Sequence, residues 1–516
     1  MPVSILWVDD EIDLLRPHII FLEQRDYQMS IATNGEDAID QVSNQEFDLV
    51  FLDENMPGLS GLETLARIKE VKPNLPVVMI TKSEEESIMD QAVGAKIADY
   101  LIKPVNPKQI LLSVKKHVHQ HKLVTEKTTS DYQQAFGQIG MQISTARTFD
   151  DWTSIYKKLT QWSLQLADSS DPSIGEVFAM QMSEANNEFG KFIKSNYLSW
   201  FGKSEDEKPL MSHNVLKNLV FPNIDKGNKV LLVLIDNFRY DQWMAIQNLL
   251  TPYWRIEKEL IYSCILPTAT QYARNALFSG LMPKEIQKIH PDAWVYDDEE
   301  SGKNLFEKDL LNSQLKRLGK SYKIHYEKCS TIKSNSLLGS NLKQVLSNDL
   351  SVLVYNFIDV ISHARTEMEM MRQLASDEAA YISLTRSWFK HSDLFNLLKV
   401  ASQHNVKVII TTDHGTIRVR DAVKVVGDRA TSTNLRYKLG KNLNYNPKQV
   451  FEVRNPDEAH LPKSNVSSSY IFALGNDFFA YPNNFNYYAN YYRDTFQHGG
   501  VSIEEMLVPY IELKPL

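Results

Sequence analysis

The chain has 516 residues, 43% hydrophobic and 23% charged, which is the balance of a soluble globular protein too long for a single hydrophobic core. Its formal net charge of −8 argues against general binding to nucleic acid or to anionic membranes. Two cysteines exclude a disulfide framework, and the absence of a cationic leader or of an apolar stretch of ~20 residues predicts a cytoplasmic protein without a membrane span.

The first 122 residues alternate short apolar runs with amphipathic stretches, which is typical of a doubly wound α/β fold. The apolar runs predict strands at residues 5–8, 29–32, 49–52, 77–80 and 100–102. Polar residues follow most of these runs directly, and the carboxyl ends of parallel strands meet along one edge of a sheet. We therefore expect a polar site at that edge.

This polar site contains Asp9 and Asp10 after the first strand, Asp53 after the third, Thr81 after the fourth and Lys103 after the fifth. Converging carboxylates can hold one Mg²⁺, which would assist Asp53 as a nucleophile towards a phosphoryl donor. Lys103 supplies a counter-charge and Thr81 a hydroxyl for the bound phosphoryl oxygens. The alternative, in which each acid caps the helix that follows it, explains any one residue but not the set in register.

Residues 53–58 and 99–104, together with the Asp9-Asp10 pair, resemble the motifs of response-regulator receiver domains. The resemblance implies a flavodoxin-like fold, phosphorylation of Asp53 and a sensor histidine kinase as partner. We also expect phosphorylation to promote a homodimer through the face formed by the fourth helix, fifth strand and fifth helix. The resemblance assigns magnesium binding to Asp9, Asp10, Asp53 and Asn55, and the switch to Thr81, Tyr100 and Lys103.

Residues 123–210 lose the strand pattern and space their apolar residues as helices do. Three such stretches, each with one apolar stripe, predict a three-helix bundle followed by a charged linker at 202–209. The aromatic stripes fit either a binding groove or, more commonly, a packed core. Nothing here or downstream is typical of a helix-turn-helix with a basic recognition helix.

The α/β alternation resumes over residues 211–516, where three apolar runs end abruptly in acids. The runs at 230–235, 352–358 and 406–410 precede Asp236, Asp359 and the sequence Thr-Thr-Asp413-His414-Gly. His363 follows four residues after Asp359, and His498 precedes two glycines far downstream. Three aspartates and three histidines can therefore converge at one edge of the sheet. Their carboxylate and imidazole groups are suitable ligands for two divalent cations.

Thr270 follows a predicted strand and turn at 264–267 and lies at the predicted start of a helix. Free N–H groups and the helix dipole favour an anion at that position. A hydroxyl that touches a divalent metal there can attack phosphorus. The alternative is that Thr268 or Thr270 only caps the helix.

Five segments in this order resemble the alkaline phosphatase superfamily and, within it, the PglZ-type domains: residues 236–243, 267–270, 359–363, 413–415 and 498–506. The resemblance implies an alkaline-phosphatase-like α/β/α domain with Thr270 as the catalytic nucleophile between two metals. It assigns one metal to Asp359, His363 and His498, and the other to Asp236, Asp413 and His414. These ligands suit zinc, with manganese as the alternative. Threonine in place of the serine common among monoesterases resembles the diesterase branches.

The whole order predicts three domains, at 1–122, 123–210 and 211–516, and resembles the PorX-type response regulators of type IX secretion. That resemblance implies a zinc-dependent phosphodiesterase acting on oligonucleotides, cyclic ones included, and protein partners in the secretion machinery. The rival hypothesis is a phosphorylation-switched interaction scaffold with little turnover. The insertions at 284–350 and 418–495 stay unexplained, and the tyrosine-rich 481–492 fits either base stacking or a packed or lid role.

Overall fold

The computed structural model describes residues 3–73, 75–81, 97–167, 172–295, 304–329, 342–367, 377–428, 431–463 and 465–516. The chain divides into two compact units, Met1–Asp131 and Tyr132–Leu516. Among the helices of these described segments, none has the length and apolar character needed to span a bilayer.

The first unit is built on a parallel sheet, which confirms the strands predicted for the flavodoxin-like fold. Its strands are β1 (Ser4–Val8), β2 (Gln28–Ala32), β3 (Leu49–Asp53), β4 (Val77–Thr81) and β5 (Asp99–Ile102). Over the described residues the strand order is β2-β1-β3-β4-β5, and each pairing is parallel. This order places the ends of β1 and β3 side by side, at the switch point where ligands bind in such sheets.

Helices cover both faces of this sheet, because successive residues of β1 alternate between two buried clusters. Leu6 and Val8 pack into one cluster, and Ile5 and Trp7 into the other. The described helices of this unit are α1 (Arg16–Glu23), α2 (Gly35–Asn44), α3 (Gly61–Val71) and α4 (Pro107–Val114). The helix expected between β4 and β5 falls on residues 82–96, outside the described part of the chain.

The second unit contains a central mixed sheet in the order β7-β18-β10-β6-β9-β8 over the described residues. Strands β10, β6, β9 and β8 pair in parallel, whereas β18 pairs antiparallel with both β10 and β7. The strands of the unit are β6 (Val230–Ile235), β7 (Trp254–Ser263), β8 (Ile324–Cys329), β9 (Leu350–Tyr355), β10 (Lys407–Thr411), β11 (Ile417–Arg418), β12 (Asp421–Lys424), β13 (Tyr437–Gly440), β14 (Val450–Val453), β15 (Ser469–Ala473), β16 (Asp477–Ala480), β17 (Phe496–Gln497) and β18 (Leu507–Pro515). The predicted strands before Asp236 and Asp413 thus lie next to one another.

Helices precede this sheet in the chain and fill the connections between its strands. They are α5 (Gln120–Thr145), which crosses the boundary between the units, α6 (Phe149–Leu166), α7 (Pro172–Trp200), α8 (Phe221–Asp225), α9 (Tyr240–Leu250), α10 (Thr270–Ser279), α11 (Pro283–Ile289), α12 (Glu307–Arg317), α13 (Leu342–Leu346), α14 (Phe357–Glu367), α15 (Glu378–His391), α16 (Asp393–Ala401), α17 (Phe485–Tyr492) and α18 (Ile503–Met506).

The three helices predicted before the C-terminal domain are α5, α6 and α7, and their aromatic stripes are core. Trp152 and Tyr156 of α6 and Phe189 of α7 are fully buried, in a cluster that continues into the central sheet. A polar contact adds to this packing, because Asn186 accepts a hydrogen bond from the backbone N–H of Ile503 at 2.8 Å. From Tyr132 onwards the bundle therefore shares one core with the sheet domain.

Two predicted strands differ from those of the structure. Strand β9 ends at Tyr355, and α14 begins at Phe357, so Asp359 lies in the first turn of a helix and not at the end of a strand. Ile358 is fully buried in that helix, and a buried helical turn needs the same apolar residues as a strand does. The strand predicted from Cys264 onwards is wrong, because β7 spans Trp254–Ser263 and ends before it.

Candidate functional site

The receiver site lies at the carboxyl ends of β1 and β3. Asp9, Asp10 and Asp53 each offer a carboxylate oxygen to a cluster whose atoms lie within 4.8 Å of one another. Lys103, just after β5, places Nζ 2.8 Å from Oδ2 of Asp9 and 2.9 Å from Oδ1 of Asp53. A donor set made only of carboxylate oxygens fits the hard ligands that Mg²⁺ prefers.

Burial and charge oppose one another at this site. Burial raises the pKa of Asp53, the charge of Asp9 raises it further, and Lys103 offsets only part of the shift. Burial lowers the pKa of Lys103, but its contacts with the two carboxylates outweigh that and leave the pKa above its usual value. The lysine therefore stays a cation between the two carboxyl groups, as neutralisation of an added phosphoryl charge requires.

The other residues assigned to the receiver flank this cluster. Thr81 is the last residue of β4 and is fully buried, and Tyr100 lies half-buried on β5, paired with Met79. Asn55 lies exposed two residues beyond β3. The roles of these three residues stay predictions.

The second unit brings the six predicted ligands together as two adjacent groups. In the first, which we call the exposed triad, Oδ1 of Asp359 lies 3.5 Å from Nε2 of His363 and 3.8 Å from Nε2 of His498. Asp359 and His363 are one turn apart on α14, and the side chain of His363 is 57% exposed. The exposed triad therefore faces solvent on one side.

The second group, which we call the buried triad, consists of Asp236, Asp413 and His414. Nε2 of His414 lies 3.8 Å from Oδ1 of Asp236 and 3.8 Å from Oδ2 of Asp413. The ring of His414 stacks on that of His498 with centroids 4.3 Å apart, so the two triads are neighbours. These residues follow β6 and β10, which are adjacent parallel strands.

The orientation of the two stacked histidines fits metal ligation. Nδ1 of His414 lies 3.1 Å from the carbonyl of Gly415, and Nδ1 of His498 lies 3.1 Å from the carbonyl of Thr268. A carbonyl only accepts hydrogen bonds, so each Nδ1 carries the proton and each Nε2 presents a lone pair to the acids. Oδ1 of Asp236 is buried without a hydrogen-bond partner among the described residues. The donors present thus fit two divalent metals.

The electrostatics of the exposed triad favour a neutral His498 and an ionised Asp359, as ligation requires. Burial and the neighbouring His414 lower the pKa of His498 to about 3. Burial raises the pKa of Asp359, but its hydrogen bond to His363 and the nearby histidine charges outweigh that and hold it below its usual value.

Thr270 is the first residue of α10, and its hydroxyl donates to Nε2 of His414 at 3.0 Å. The helix-cap alternative fails for both threonines. The N-cap residue is Ala269, whose side chain cannot accept a hydrogen bond, and Thr268 donates its hydroxyl to the carbonyl of Gly500 at 3.0 Å. Thr268 instead ties the His498-Gly-Gly turn to the start of α10.

Arg274, one turn after Thr270 on α10, is a site residue that no sequence motif indicated. Its guanidinium contacts both acids of the buried triad, with Nε 2.9 Å from Oδ2 of Asp413 and Nη2 paired with Oδ2 of Asp236. It also lies 3.5 Å from Glu307 and is fully buried. The spacing of four from Thr270 was the available signal, because residues at i and i+4 share a helix face.

The two acids differ in their pKa although the charge of Arg274 lowers the pKa of both. Burial raises the pKa of both carboxyl groups. For Asp413 the charges of Arg274 and His414 outweigh burial, and its pKa lies below the usual value. For Asp236 burial prevails, and its pKa lies well above the usual value. A cation bound at the unpartnered Oδ1 of Asp236 would compensate that burial.

Asn237 is a second site residue without a predicted role, and it links the two triads. It follows Asp236 directly, is fully buried and has a left-handed backbone at φ 62°. Its Nδ2 donates to Oδ1 of Asp359 at 3.3 Å and to Oγ of Ser362 at 3.1 Å. A buried non-glycine residue in this conformation costs conformational energy, which is common at functional sites.

A glycine allows the close approach that shapes the buried triad. A Cβ at Gly415 would overlap the carbonyl oxygen of Glu504, so the turn after His414 accepts no larger residue. This contact explains the glycine of the Asp-His-Gly sequence.

The tyrosine-rich segment forms α17 on the surface. Tyr487 stacks on Tyr491 and Tyr488 on Tyr492, with centroids 6.0 and 6.2 Å apart. No residue of this helix is fully buried, although Tyr492 packs against a small buried cluster that contains Phe478. The roles in base stacking and as a lid stay predictions.

Three family models match the chain. The BREX system PglZ alkaline phosphatase-like domain matches residues 215–513, the PorX response regulator linker domain residues 122–201, and the response regulator receiver domain residues 5–115. The order of these domains matches a PorX-type architecture, as the sequence analysis predicted.

Similar proteins share a limited part of the chain. The transcriptional regulatory protein ResD of Bacillus subtilis is 38% identical over 112 residues, which cover 22% of this chain and 46% of that protein. The CpxR homolog of Haemophilus influenzae is 35% identical over 114 residues, with coverage of 22% and 48%. The chain thus spans less than half the length of either relative. A solved CheY-like receiver domain from Methanospirillum hungatei is 26% identical and covers 23% of this chain and 96% of that one, with a TM-score of 0.23.

Proposed function

The chain belongs to the PglZ alkaline phosphatase-like family, and from that membership we propose that it is a response regulator whose C-terminal domain is a zinc-dependent phosphodiesterase. The observation that carries the proposal is the pair of adjacent triads. The Nε2 atoms of His414 and His498 are directed at the acids, and the hydroxyl of Thr270 lies beside His414. Three of these ligands surround each proposed metal, which leaves positions open for substrate.

Thr270 is the nucleophile in this proposal. Its hydroxyl oxygen attacks phosphorus, forming an oxygen–phosphorus bond while the bond from phosphorus to the leaving alcohol breaks. In this proposal Nε2 of His414 is kept for a metal and its Nδ1 already carries a proton, so the proton of Thr270 leaves to solvent. Attack by water on the phosphorus then releases the product and restores the Thr270 hydroxyl. The positive end of α10 favours the phosphoryl anion at this position. When bound, zinc supplies Lewis-acid activation of the attacking and leaving oxygens.

Arg274 and Asn237 position the ligands and do not touch the substrate in this proposal. Arg274 holds Oδ2 of Asp236 and Oδ2 of Asp413, and Oδ1 of Asp236, which has no hydrogen-bond partner among the described residues, is left for a metal. Asn237 fixes Asp359 through Oδ1. Such outer contacts commonly determine metal affinity because they orient the ligands before the metal arrives.

The proposed substrate class is the phosphodiester, with oligonucleotides, cyclic ones included, as the biological form. The support is threonine as nucleophile, as in the diesterase branches that the domain resembles. We expect hydrolysis of bis-p-nitrophenyl phosphate to exceed that of p-nitrophenyl phosphate in kcat/KM. A parallel series of linear and cyclic dinucleotides identifies the preferred substrate. Tight binding of these compounds without turnover would favour the scaffold hypothesis instead.

We expect Asp53 to be the phosphorylated residue, because it alone ends β3 within the carboxylate cluster and contacts Lys103. Acetyl phosphate with Mg²⁺ should add one phosphoryl mass to the wild-type chain and none to Asp53→Ala. Asp13→Ala, which removes an exposed acid outside the cluster, is the matched control. Full labelling of Asp53→Ala by mass spectrometry would show that the acceptor lies elsewhere.

Phosphorylation is further proposed to promote a homodimer through the switch residues Thr81 and Tyr100. Beryllofluoride, a phosphoryl mimic, should raise the mass measured by light scattering from that of one chain towards that of two. A mass that stays monomeric while hydrolysis increases would contradict dimerisation as the switch.

The PorX-type linker at 122–201 supports a role in regulating type IX secretion, with a sensor histidine kinase upstream and secretion proteins as partners. A strain with Asp53→Ala in place of the wild-type gene should lose regulated export of the secreted proteins. Unchanged export would show that phosphorylation of this chain does not regulate type IX secretion. The proposed hydrolysis would still be tested by the assays above.

A further inference from the structure

A cavity of about 320 Å³ lies between the linker helices α6 and α7 and the sheet domain. Its lining, drawn from the described residues, shares no residue with the two triads. Leu159 and Leu166 of α6 and Phe178 and Met182 of α7 form an apolar wall. A cavity of this size and lining can accept a small organic molecule with an apolar body.

Four acids and three arginines line the cavity, so its charges do not cancel. Arg239 pairs with both Asp241 and Glu378, which means that a single guanidinium serves two carboxylates. Arg418 pairs through Nη2 at 3.0 Å with Asp494, an acid outside the lining. The charge left in the interior of the cavity is therefore negative.

The other charged residues of the lining show where this negative charge lies. Asp377 and Arg420 are both exposed at the edge, and their opposite charges offset each other. Glu504 of α18 is buried. Within the described part of the chain its carboxylate forms no ion pair, and the side chain that donates to it is the neutral amide of Asn186, at 3.0 and 3.3 Å. Burial raises the pKa of Glu504 to about 7, and the charge of Arg239 offsets only part of that shift. A cation beside Glu504 would compensate for its burial.

Two buried hydroxyl groups of α6 also line the cavity. Neither the hydroxyl of Tyr156 nor that of Thr160 has a hydrogen-bond partner among the described residues. Burial raises the pKa of Tyr156, and the nearby charges of Asp241 and Glu504 add to that shift, so its hydroxyl lies among the acids of the cavity. Buried hydroxyls without a partner cost free energy, which hydrogen bonds to a bound molecule would recover.

We propose that this cavity binds a small amphipathic cation, an amine with an apolar body. The apolar body lies against α6 and α7, and the ammonium group pairs with Glu504 and donates to the hydroxyls of Tyr156 and Thr160. The backbone of Glu504 lies against the turn after His414, where a Cβ at Gly415 would overlap its carbonyl oxygen. The site is independent of the proposed hydrolysis and can be tested without it.

Three naphthalene derivatives that differ in charge test the proposal on the full chain. 1-Naphthylmethylamine is a cation at neutral pH, 1-naphthylmethanol has the same aromatic body without the charge, and 1-naphthoate is an anion. We expect isothermal titration calorimetry on the wild type to give the highest affinity for the amine, a lower affinity for the alcohol and the lowest for the carboxylate. Failure to bind the amine, or binding of the alcohol or the carboxylate at least as tightly as the amine, would overturn the proposal.

Replacement of Glu504 by glutamine tests the charge at the centre of the proposed site. Glutamine keeps an oxygen that can accept from Asn186 but carries no charge. Glu504→Gln should weaken the amine by about tenfold, as the loss of a charge-assisted hydrogen bond predicts, and leave the alcohol unchanged. Glu184→Gln, at an exposed acid of α7 outside the lining, is the matched control and should weaken neither. Wild-type affinity of Glu504→Gln for the amine would contradict the proposal.

A filling variant locates the probes. Gly175 lines the cavity on α7, and a Cβ added there meets no atom within 4 Å, so Gly175→Leu adds apolar volume without a clash at Cβ. It should weaken both the amine and the alcohol. Gly137→Leu, at an equally open glycine of α5 outside the lining, should weaken neither. Circular dichroism melts verify that each variant is folded. Wild-type affinity of Gly175→Leu for both probes would place them outside this cavity and overturn the proposal.

Discussion

Replacing Thr270 by valine is expected to lower phosphodiester turnover by about a thousandfold or more, as loss of a covalent nucleophile does. Valine has nearly the shape of threonine but lacks the oxygen that attacks phosphorus. The substitution removes one hydrogen bond, to Nε2 of His414, and no proposed metal ligand. The metal content measured by elemental analysis should therefore stay at the wild-type value while kcat falls.

The matched control for this prediction is Thr251→Val. Thr251 is an exposed threonine at the end of α9, and its replacement should leave both turnover and metal content unchanged. Near-normal turnover by Thr270→Val would assign the nucleophile to another group and reduce Thr270 to the first residue of a helix.

Replacing His363 by alanine is expected to reduce bound zinc from about two ions per chain to about one. His363 is the exposed member of its triad, so the substitution should change the metal-free stability by no more than ~0.5 kcal/mol. Turnover should fall by at least about a hundredfold, because the attacking or the leaving oxygen loses the metal that stabilises its charge during the displacement.

His391→Ala is the control for the second prediction, since His391 is an exposed histidine at the end of α15, outside both triads. Elemental analysis and turnover are measured on the same samples. Retention of two zinc ions by His363→Ala would show that the exposed triad does not hold a metal through this histidine.

Much of the site could be predicted from the sequence, because its ligands are attached to strand ends. The acids after β1, β3, β6 and β10 follow apolar runs that form parallel strands. The carboxyl ends of parallel strands meet at one edge of their sheet, independently of the helices that connect them. Asp359 was located correctly for a different reason. It lies on the first turn of α14, where a helix that directly follows β9 begins at the same edge.

The residues that were missed depend on contacts between distant parts of the chain. Arg274 meets Asp413 across 139 residues, and Asn237 meets Asp359 across 122. Neither contact leaves a periodic pattern in the sequence. In a sequence, an arginine within a helix and an asparagine after a metal ligand each have ordinary explanations. Only the fold shows which residues they contact.

The measurement that tests the proposed metal centre most directly is the hydrolysis of bis-p-nitrophenyl phosphate by chelator-treated protein as zinc is added back. The chelated chain should be inactive, and turnover should rise to a plateau at about two zinc ions per chain. The same additions to His363→Ala should leave turnover low. Full turnover by the chelated wild-type chain, or a plateau at about one zinc ion per chain, would contradict a paired-metal mechanism.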